Sequence, residues 1–121
     1  VRPEYPQFYE KNGDLYRLYM PIIRTLSAAG WEPLTHATVE GAQSVRVERF
    51  GPAEGVAYFT VYNDGPGAVD CTLDIDVAAL GAKGVAAMAH LVSGDTLPAG
   101  ARLALYLESE QLQVLRLALA L

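Results

Sequence analysis

The chain has 121 residues, a length typical of one domain, and 51% of them are hydrophobic, so it can bury a core and is not expected to be disordered. Its formal net charge is −5 and it contains no basic run, which argues against nucleic acid and an anionic membrane surface as partners. A single cysteine excludes an internal disulfide and leaves the cellular compartment open. No segment approaches the roughly 18 consecutive apolar residues of a membrane helix.

The first residues, 1–13, are rich in Pro, Tyr and charge, which predicts a loop or an irregular arm. The chain begins at Val1 rather than Met and shows no signal-peptide pattern, so we expect it to be a piece of a longer protein.

A helical period follows this arm. Asp14 is suited to the N-cap and Gly30 to the C′ position, while Pro21 predicts either a kink or a helix that starts near it. One side of the helix is an apolar stripe with i, i+3, i+4, i+7 spacing: Leu15, Leu18, Tyr19, Ile22, Ile23, Leu26 and Ala29. Because a lone domain rarely leaves such a patch exposed, we expect another polypeptide to cover it.

The remainder of the chain reads as short strands separated by Gly- and Pro-rich turns, after a linker at Thr35–Gln43. The predicted strands are Ser44–Phe50, Val56–Tyr62, Val69–Val77, Val85–Val92 (a segment that can also be read as helix), 103–107 and Gln111–Leu119. In the last strand the inward set changes from Leu112 and Val114 to Leu115 and Leu117, which predicts a bulge.

The clearest pattern surrounds the cluster Asn63–Gly67, which predicts a turn that joins two strands into a hairpin. The strand before the turn is apolar on both faces, as in a central or doubly covered strand. The strand after it alternates strictly between an apolar and an acidic face. The alternation predicts these core residues: Val45, Val47, Phe59, Val61, Val69, Cys71, Leu73, Ile75, Leu91, Leu103, Leu105, Leu107 and Val114.

The predicted fold class is therefore mainly β. We expect an antiparallel β-sandwich of about six to eight strands, preceded by one amphipathic α-helix. The arm and helix form residues 1–36 and the sandwich forms residues 37–121.

The polar residues predict no catalytic centre, metal site or cofactor site. Asp70, Asp74 and Asp76 share one strand face, but a calcium site needs further oxygen ligands, so a solvated acidic face is favoured. His36 and His90 have no ligand partners at metal-site spacing. No P-loop, nucleophile elbow or dinucleotide fingerprint occurs.

Two further groups of residues have a structural interpretation. Cys71 lies on an apolar strand face, which predicts an inert buried thiol. Glycoside hydrolysis needs two carboxylates at a defined separation, and nothing in the sequence pairs any two among Glu32, Glu48 and Glu54.

Four aromatic side chains could stack on a sugar ring: Trp31, Tyr58, Tyr62 and Tyr106. For Trp31 we favour packing at the seam between the helix and the sandwich. For Tyr58 and Tyr62, which share one strand face, we favour packing against the helix.

The order of these segments carries a resemblance. A helix that ends in AAGWEP precedes VRVERFG, YFTVYNDG, HLVSGDTLP and a terminal LQVLRL. This resembles the C-terminal end of retaining or related glycoside hydrolases with a (β/α)8 barrel, in which the last barrel helix leads into an accessory antiparallel β-sandwich. The resemblance implies that the catalytic carboxylates lie in a barrel outside this chain. It also implies that only residues 1–13, with Tyr5, Phe8 and Tyr9, approach the catalytic face.

The predicted function is accordingly a non-catalytic accessory domain that braces the barrel of a glycoside hydrolase. The alternatives are a carbohydrate-binding module, with carbohydrate as its ligand, and an interaction domain unrelated to sugars. The predicted partner is the barrel or a second copy of the chain, contacted through the stripe Leu15, Leu18, Tyr19, Ile22, Ile23 and Leu26.

Overall fold

The structure, a computed structural model, describes residues 19–121 of the chain. The predicted arm, the Asp14 cap and the first two residues of the stripe, Leu15 and Leu18, lie outside the described residues. Within the described range a helix, α1, covers residues 19–29, with Pro21 among its residues. Nine strands follow: β1 (Trp31–Glu32), β2 (Ala37–Glu40), β3 (Val45–Ala53), β4 (Val56–Asn63), β5 (Val69–Ile75), β6 (Gly84–His90), β7 (Thr96–Leu97), β8 (Arg102–Leu107) and β9 (Leu112–Ala120).

The strands form two antiparallel sheets that pack face to face. The larger sheet has the order β1-β3-β4-β9-β6-β7, and the smaller has the order β2-β5-β8. The outer face of the larger sheet is covered by α1, which makes three layers. The prediction of a mainly β sandwich with one helix is confirmed. The division of the chain between residues 36 and 37 stays a prediction.

The predicted hairpin between β4 and β5 is wrong. β4 pairs with β3 and β9 in the larger sheet, whereas β5 pairs with β2 and β8 in the smaller one. The turn after Asn63 therefore carries the chain from one sheet to the other. Strand alternation shows which side chains share a face but does not show which sheet a strand joins. The true hairpin is β3–β4, joined by Glu54 and Gly55, which both have positive φ as in the two-residue turns that suit twisted strands.

The interior between the sheets is the main hydrophobic core. It contains the predicted inward residues of β3, β4, β5 and β8, and also Leu115 and Leu117 from the predicted inward set of the last strand. Met88 and Leu119 belong to it as well, although the sequence did not single them out as core residues. β4 is central in its sheet, as its two apolar faces predicted. Cys71 is buried in this core, as predicted.

The strand β9 has two buried faces rather than a bulge. Leu115, Leu117 and Leu119 point into the core between the sheets, while Leu112 and Val114 point outward and pack against α1. The register of β9 against β4 is continuous from Val56–Ala118 to Tyr62–Leu112. The predicted bulge is therefore wrong, because the apparent change of inward set reflects the helix that covers the outer face.

The helix stripe packs, at least in part, on the chain's own sheet. Ile22 and Leu26 are buried against Val114 and against the half-buried Phe50 and Tyr58. For these two residues the expectation that another polypeptide covers them is wrong, since both faces of β9 are apolar and the helix supplies the outer cover.

The helix ends at Gly30, as predicted. Its φ of +93° lies in the left-handed region that glycine adopts without strain, and its amide donates to the carbonyl of Leu26. The carbonyl of Gly30 accepts a hydrogen bond from the amide of Gly51 at 2.8 Å. This bond fastens the end of α1 to the end of β3.

The predicted linker Thr35–Gln43 contains a strand, β2 (Ala37–Glu40), that pairs with β5. Ala37 and Val39 face the core and Thr38 and Glu40 face outward. Four alternating residues are too short for the sequence alone to distinguish from a loop.

The two faces of β5 make a matched test of the core. Leu73 is fully buried between the sheets and Asp74 is on the outer face, where it pairs with Arg102. We expect Leu73→Ala to lower the free energy of unfolding by about 2–5 kcal/mol and Asp74→Ala to lower it by less than about 1 kcal/mol. Urea unfolding of both variants measures the difference. Equal losses would contradict the orientation of the strand.

Candidate functional site

The candidate catalytic carboxylates are not brought together. In the strand register Glu32 lies opposite Arg49, on the inner side of the larger sheet. Glu48 lies opposite Thr60, on the outer side of the same sheet. Glu54 is in the turn between β3 and β4. All three are exposed. The described residues therefore supply no pair of these carboxylates that faces one site.

The described residues also contain no group of three or more His, Cys, Asp or Glu side chains that could hold a metal ion. His36 precedes β2 and His90 ends β6. Burial raises the pKa of the Cys71 thiol, and the charge of Asp70 raises it further, so the thiol stays protonated and unreactive. Among residues 19–121 no helix is long and apolar enough to cross a membrane.

The outer face of the smaller sheet is polar and is organised by Arg102. Its guanidinium donates to both carboxylate oxygens of Glu40, at 3.1 and 3.3 Å, and to Asp74 at 2.8 Å. These hydrogen bonds lower the pKa of Glu40 and raise the pKa of Arg102. Because the groups are exposed, their main effect is to hold the side chains in place rather than to stabilise the fold. The predicted acidic face is thus partly neutralised by one arginine.

The third predicted acid, Asp76, has a different role. It lies just after β5, where its carboxylate accepts a hydrogen bond from the amide of Ala79 and so closes the turn 76–79.

A groove of about 610 Å³ crosses the same face. Its lining includes Glu40 and Gly41 from the β2 side, Asp70 from β5 and Tyr106 from β8. Tyr106 lies opposite Asp70 in the register of β8 and β5, and the residue is 57% exposed. We call this surface, defined by Glu40, Asp70, Arg102 and Tyr106, the open face, because within residues 19–121 the helix α1 covers the other sheet and no element covers this one.

The four aromatic candidates are distributed over both sheets. Tyr58 packs against the helix, as predicted. Trp31 is 56% exposed and does not pack in the seam between helix and sandwich, so that prediction is wrong. The reason is that β1 is a two-residue strand at the edge of the sheet. Phe50, which lies opposite Trp31 on β3, packs against the helix instead. Trp31 therefore emerges on the helix side of the molecule, and Tyr106 emerges on the open face.

Two buried polar side chains determine the geometry around these surfaces, and the sequence did not identify either. The amide of Asn63 is fully buried and makes hydrogen bonds to Ser44, Gly65, Gly67, Leu107 and Glu108. Arg49 is also buried and donates twice to the carbonyl of Leu34, at 2.7 and 3.0 Å, and once to the carbonyl of Gly51. Arg49 thereby fixes the segment that leads from β1 to β2.

The sequence matches no protein-family model, and no curated protein matches it. Two solved structures share its fold. One is described as a putative α-N-acetylgalactosaminidase from Bacillus halodurans (15% identity, TM-score 0.55), and 64% of this chain aligns with 19% of that one. The other is a GH27 β-L-arabinopyranosidase from Geobacillus stearothermophilus, in complex with arabinose (17% identity, TM-score 0.54), and 69% of this chain aligns with 20% of that one.

Both neighbours are named as glycosidases, so the resemblance to part of a glycoside hydrolase is confirmed at the level of the fold. The match spans about a fifth of the length of each neighbour. About two thirds of this chain thus shares the fold of a segment of each neighbour.

His90 predicts a pH dependence of stability. Its Nδ1 is buried without a hydrogen-bond partner in the described part of the chain, and burial lowers the pKa of the ring although Asp95 opposes the shift. As the pH falls below about 6.5, the unfolded chain binds a proton at this position before the folded chain does, so the free energy of unfolding should decrease.

The contribution of His90 should be fully present above about pH 6.5 and be lost as the pH falls through the lowered pKa. Urea unfolding at several pH values measures it, with His90→Gln as the variant and His36→Gln as the control. A wild type and a His90→Gln variant with the same pH dependence would contradict the prediction.

Proposed function

We propose that the chain is a non-catalytic accessory β-sandwich domain of a glycoside hydrolase and that it braces the catalytic barrel. The observation that supports this most directly is the shared fold with about a fifth of two glycosidases. The scattered positions of Glu32, Glu48 and Glu54 agree with a domain that leaves hydrolysis to another part of the enzyme.

The proposed contact surface is the helix side of the molecule. Ile22 points into the sheet, while Ile23 is rotated by about 100° around the helix and is 49% exposed. Trp31 is exposed on the same side of the larger sheet, because its partner Phe50 faces the helix. Large exposed apolar side chains of this kind are typical anchors of protein interfaces. We assign the catalytic barrel as the partner, since both neighbours are about five times longer than the aligned segment.

A multi-aromatic carbohydrate-binding module is less favoured. Such a module presents two or three coplanar rings on one sheet face, whereas Tyr58 lies under α1 and the two most exposed candidates are on different sheets. This arrangement is compatible with a sugar site that has a single aromatic ring.

The contact can be tested with one substitution on the free side of the helix. In the whole enzyme, Ile23→Glu should lower the melting temperature by about 2–4 °C, because a charge would be buried in the interface. In the isolated chain the same change should alter the free energy of unfolding by less than about 0.5 kcal/mol. Differential scanning calorimetry of both proteins measures the two effects.

Thr25→Glu is the matched control, since Thr25 is exposed and lies about 200° around the helix from Ile23. An Ile23→Glu enzyme as stable as the wild type would argue against this contact surface.

The absence of catalysis is tested separately with the purified chain. We expect no turnover of chromogenic α-galactoside, α-N-acetylgalactosaminide or β-L-arabinopyranoside substrates. Hydrolysis that copurifies with the folded chain and is lost on its unfolding would refute the non-catalytic role.

A further inference from the structure

We propose that the open face binds a neutral pyranose sugar, with the ring of Tyr106 as its stacking platform. The choice of a carbohydrate among neutral polar ligands rests on the accessory function proposed above. The position, polarity and expected strength of the site follow from the geometry of the open face.

The first element of the site is an uncovered aromatic ring. Tyr106 lies on β8 with Ala104 two residues before it on the same face, and both line the groove. Tyr58, by comparison, has its face of the sheet covered by α1. The electron-rich face of an exposed ring attracts polarised C–H groups, which a pyranose presents on its less hydroxylated side.

The second element is a floor made of small residues. Gly41, Thr72 and Ala104 line the groove together with the carboxylates and the tyrosine. Gly41 has a φ of +97°, and a Cβ at this position would lie 3.2 Å from the carbonyl oxygen of Asp70. The glycine therefore lets the backbone after β2 approach the backbone of β5 closely at this end of the groove.

The third element is a set of carboxylate hydrogen-bond acceptors, of which Glu40 is held in place. Arg102 holds the Glu40 carboxylate through two hydrogen bonds, and Asp70 is paired with Tyr106 across the strands. An ionised carboxylate accepts hydrogen bonds and donates none, so the complementary ligand is rich in hydroxyl donors. Glu40, Asp70 and Asp74 outnumber Arg102, so the negative charge of the face disfavours anionic ligands.

The groove is shallow, and one ring with a few hydroxyl contacts gives weak binding. We expect dissociation constants of about 1–50 mM, as for a ligand that is only partly enclosed. A site of this strength serves to keep a domain near a polymeric substrate that presents many copies of the sugar.

The test is a titration of the isotopically labelled full chain, followed by two-dimensional NMR of its backbone amides. The probes are methyl α-D-galactopyranoside and L-arabinose, and methyl β-D-glucuronide is the anionic comparator. We expect saturable shifts at Gly41, Thr72 and Tyr106 with the neutral sugars, and at least about fivefold weaker binding of the glucuronide.

The variants separate stacking from general surface effects. Tyr106→Ala should weaken binding by about tenfold or more, while Tyr106→Phe should retain it because stacking does not need the hydroxyl. Trp31→Ala is the matched control, since Trp31 and Tyr106 are similarly exposed (56% and 57%) on different sheets. Trp31→Ala should bind as the wild type does.

The proposal is overturned if neither neutral sugar gives saturable shifts, if Tyr106→Ala binds as well as the wild type, or if the shifts centre on Trp31. None of these results would affect the accessory role, because that role is tested by Ile23→Glu on the opposite side of the molecule. Conversely, if Ile23→Glu left the melting temperature of the whole enzyme unchanged, the proposed helix contact would be refuted. A sugar affinity measured on the isolated chain would still stand.

Discussion

The buried amide of Asn63 holds the two sheets in their relative position. Its oxygen accepts from Ser44 at 2.7 Å and from the amide of Gly65 at 3.0 Å. Its nitrogen donates to carbonyls of the crossing loop and of the β8–β9 connection, at 2.9–3.3 Å. Every hydrogen-bonding position of the amide is thus used, as burial without water requires. One side chain thereby ties together the start of β3, the end of β4, the loop to β5 and the end of β8.

The two sheets that Asn63 joins differ in how their outer faces are covered. The larger sheet is apolar on both faces at its centre, and α1 covers the outer one with Ile22 and Leu26. The smaller sheet is apolar only on its inner face. Its outer face carries the charges around Arg102 and is not covered by any other part of residues 19–121. The molecule therefore has an apolar helix side and a polar open face, which are the two surfaces used by the proposals above.

The sequence predicted those features that depend on local periodicity. The alternation in β5 placed Leu73 inside and Asp74 outside correctly, and the glycine after the helix marked its end. Features that depend on distant partners were not predictable. Asn63 was interpreted as a turn residue because its acceptors at Leu107 and Glu108 are 44 and 45 residues away. The exposure of Tyr106 likewise depends on the fact that no element within residues 19–121 covers its sheet, and no local sequence pattern indicates this.

The position of β9 constrains how the chain folds. β9 pairs with β4 on one side and with β6 on the other, so the last strand in sequence lies inside the larger sheet. Until β9 has left the ribosome, β4 and β6 each have an unpaired edge, and such edges pair with other chains. The larger sheet is therefore completed only after β9 has been synthesised, and a nascent chain that stalls before Leu112 exposes two aggregation-prone strands.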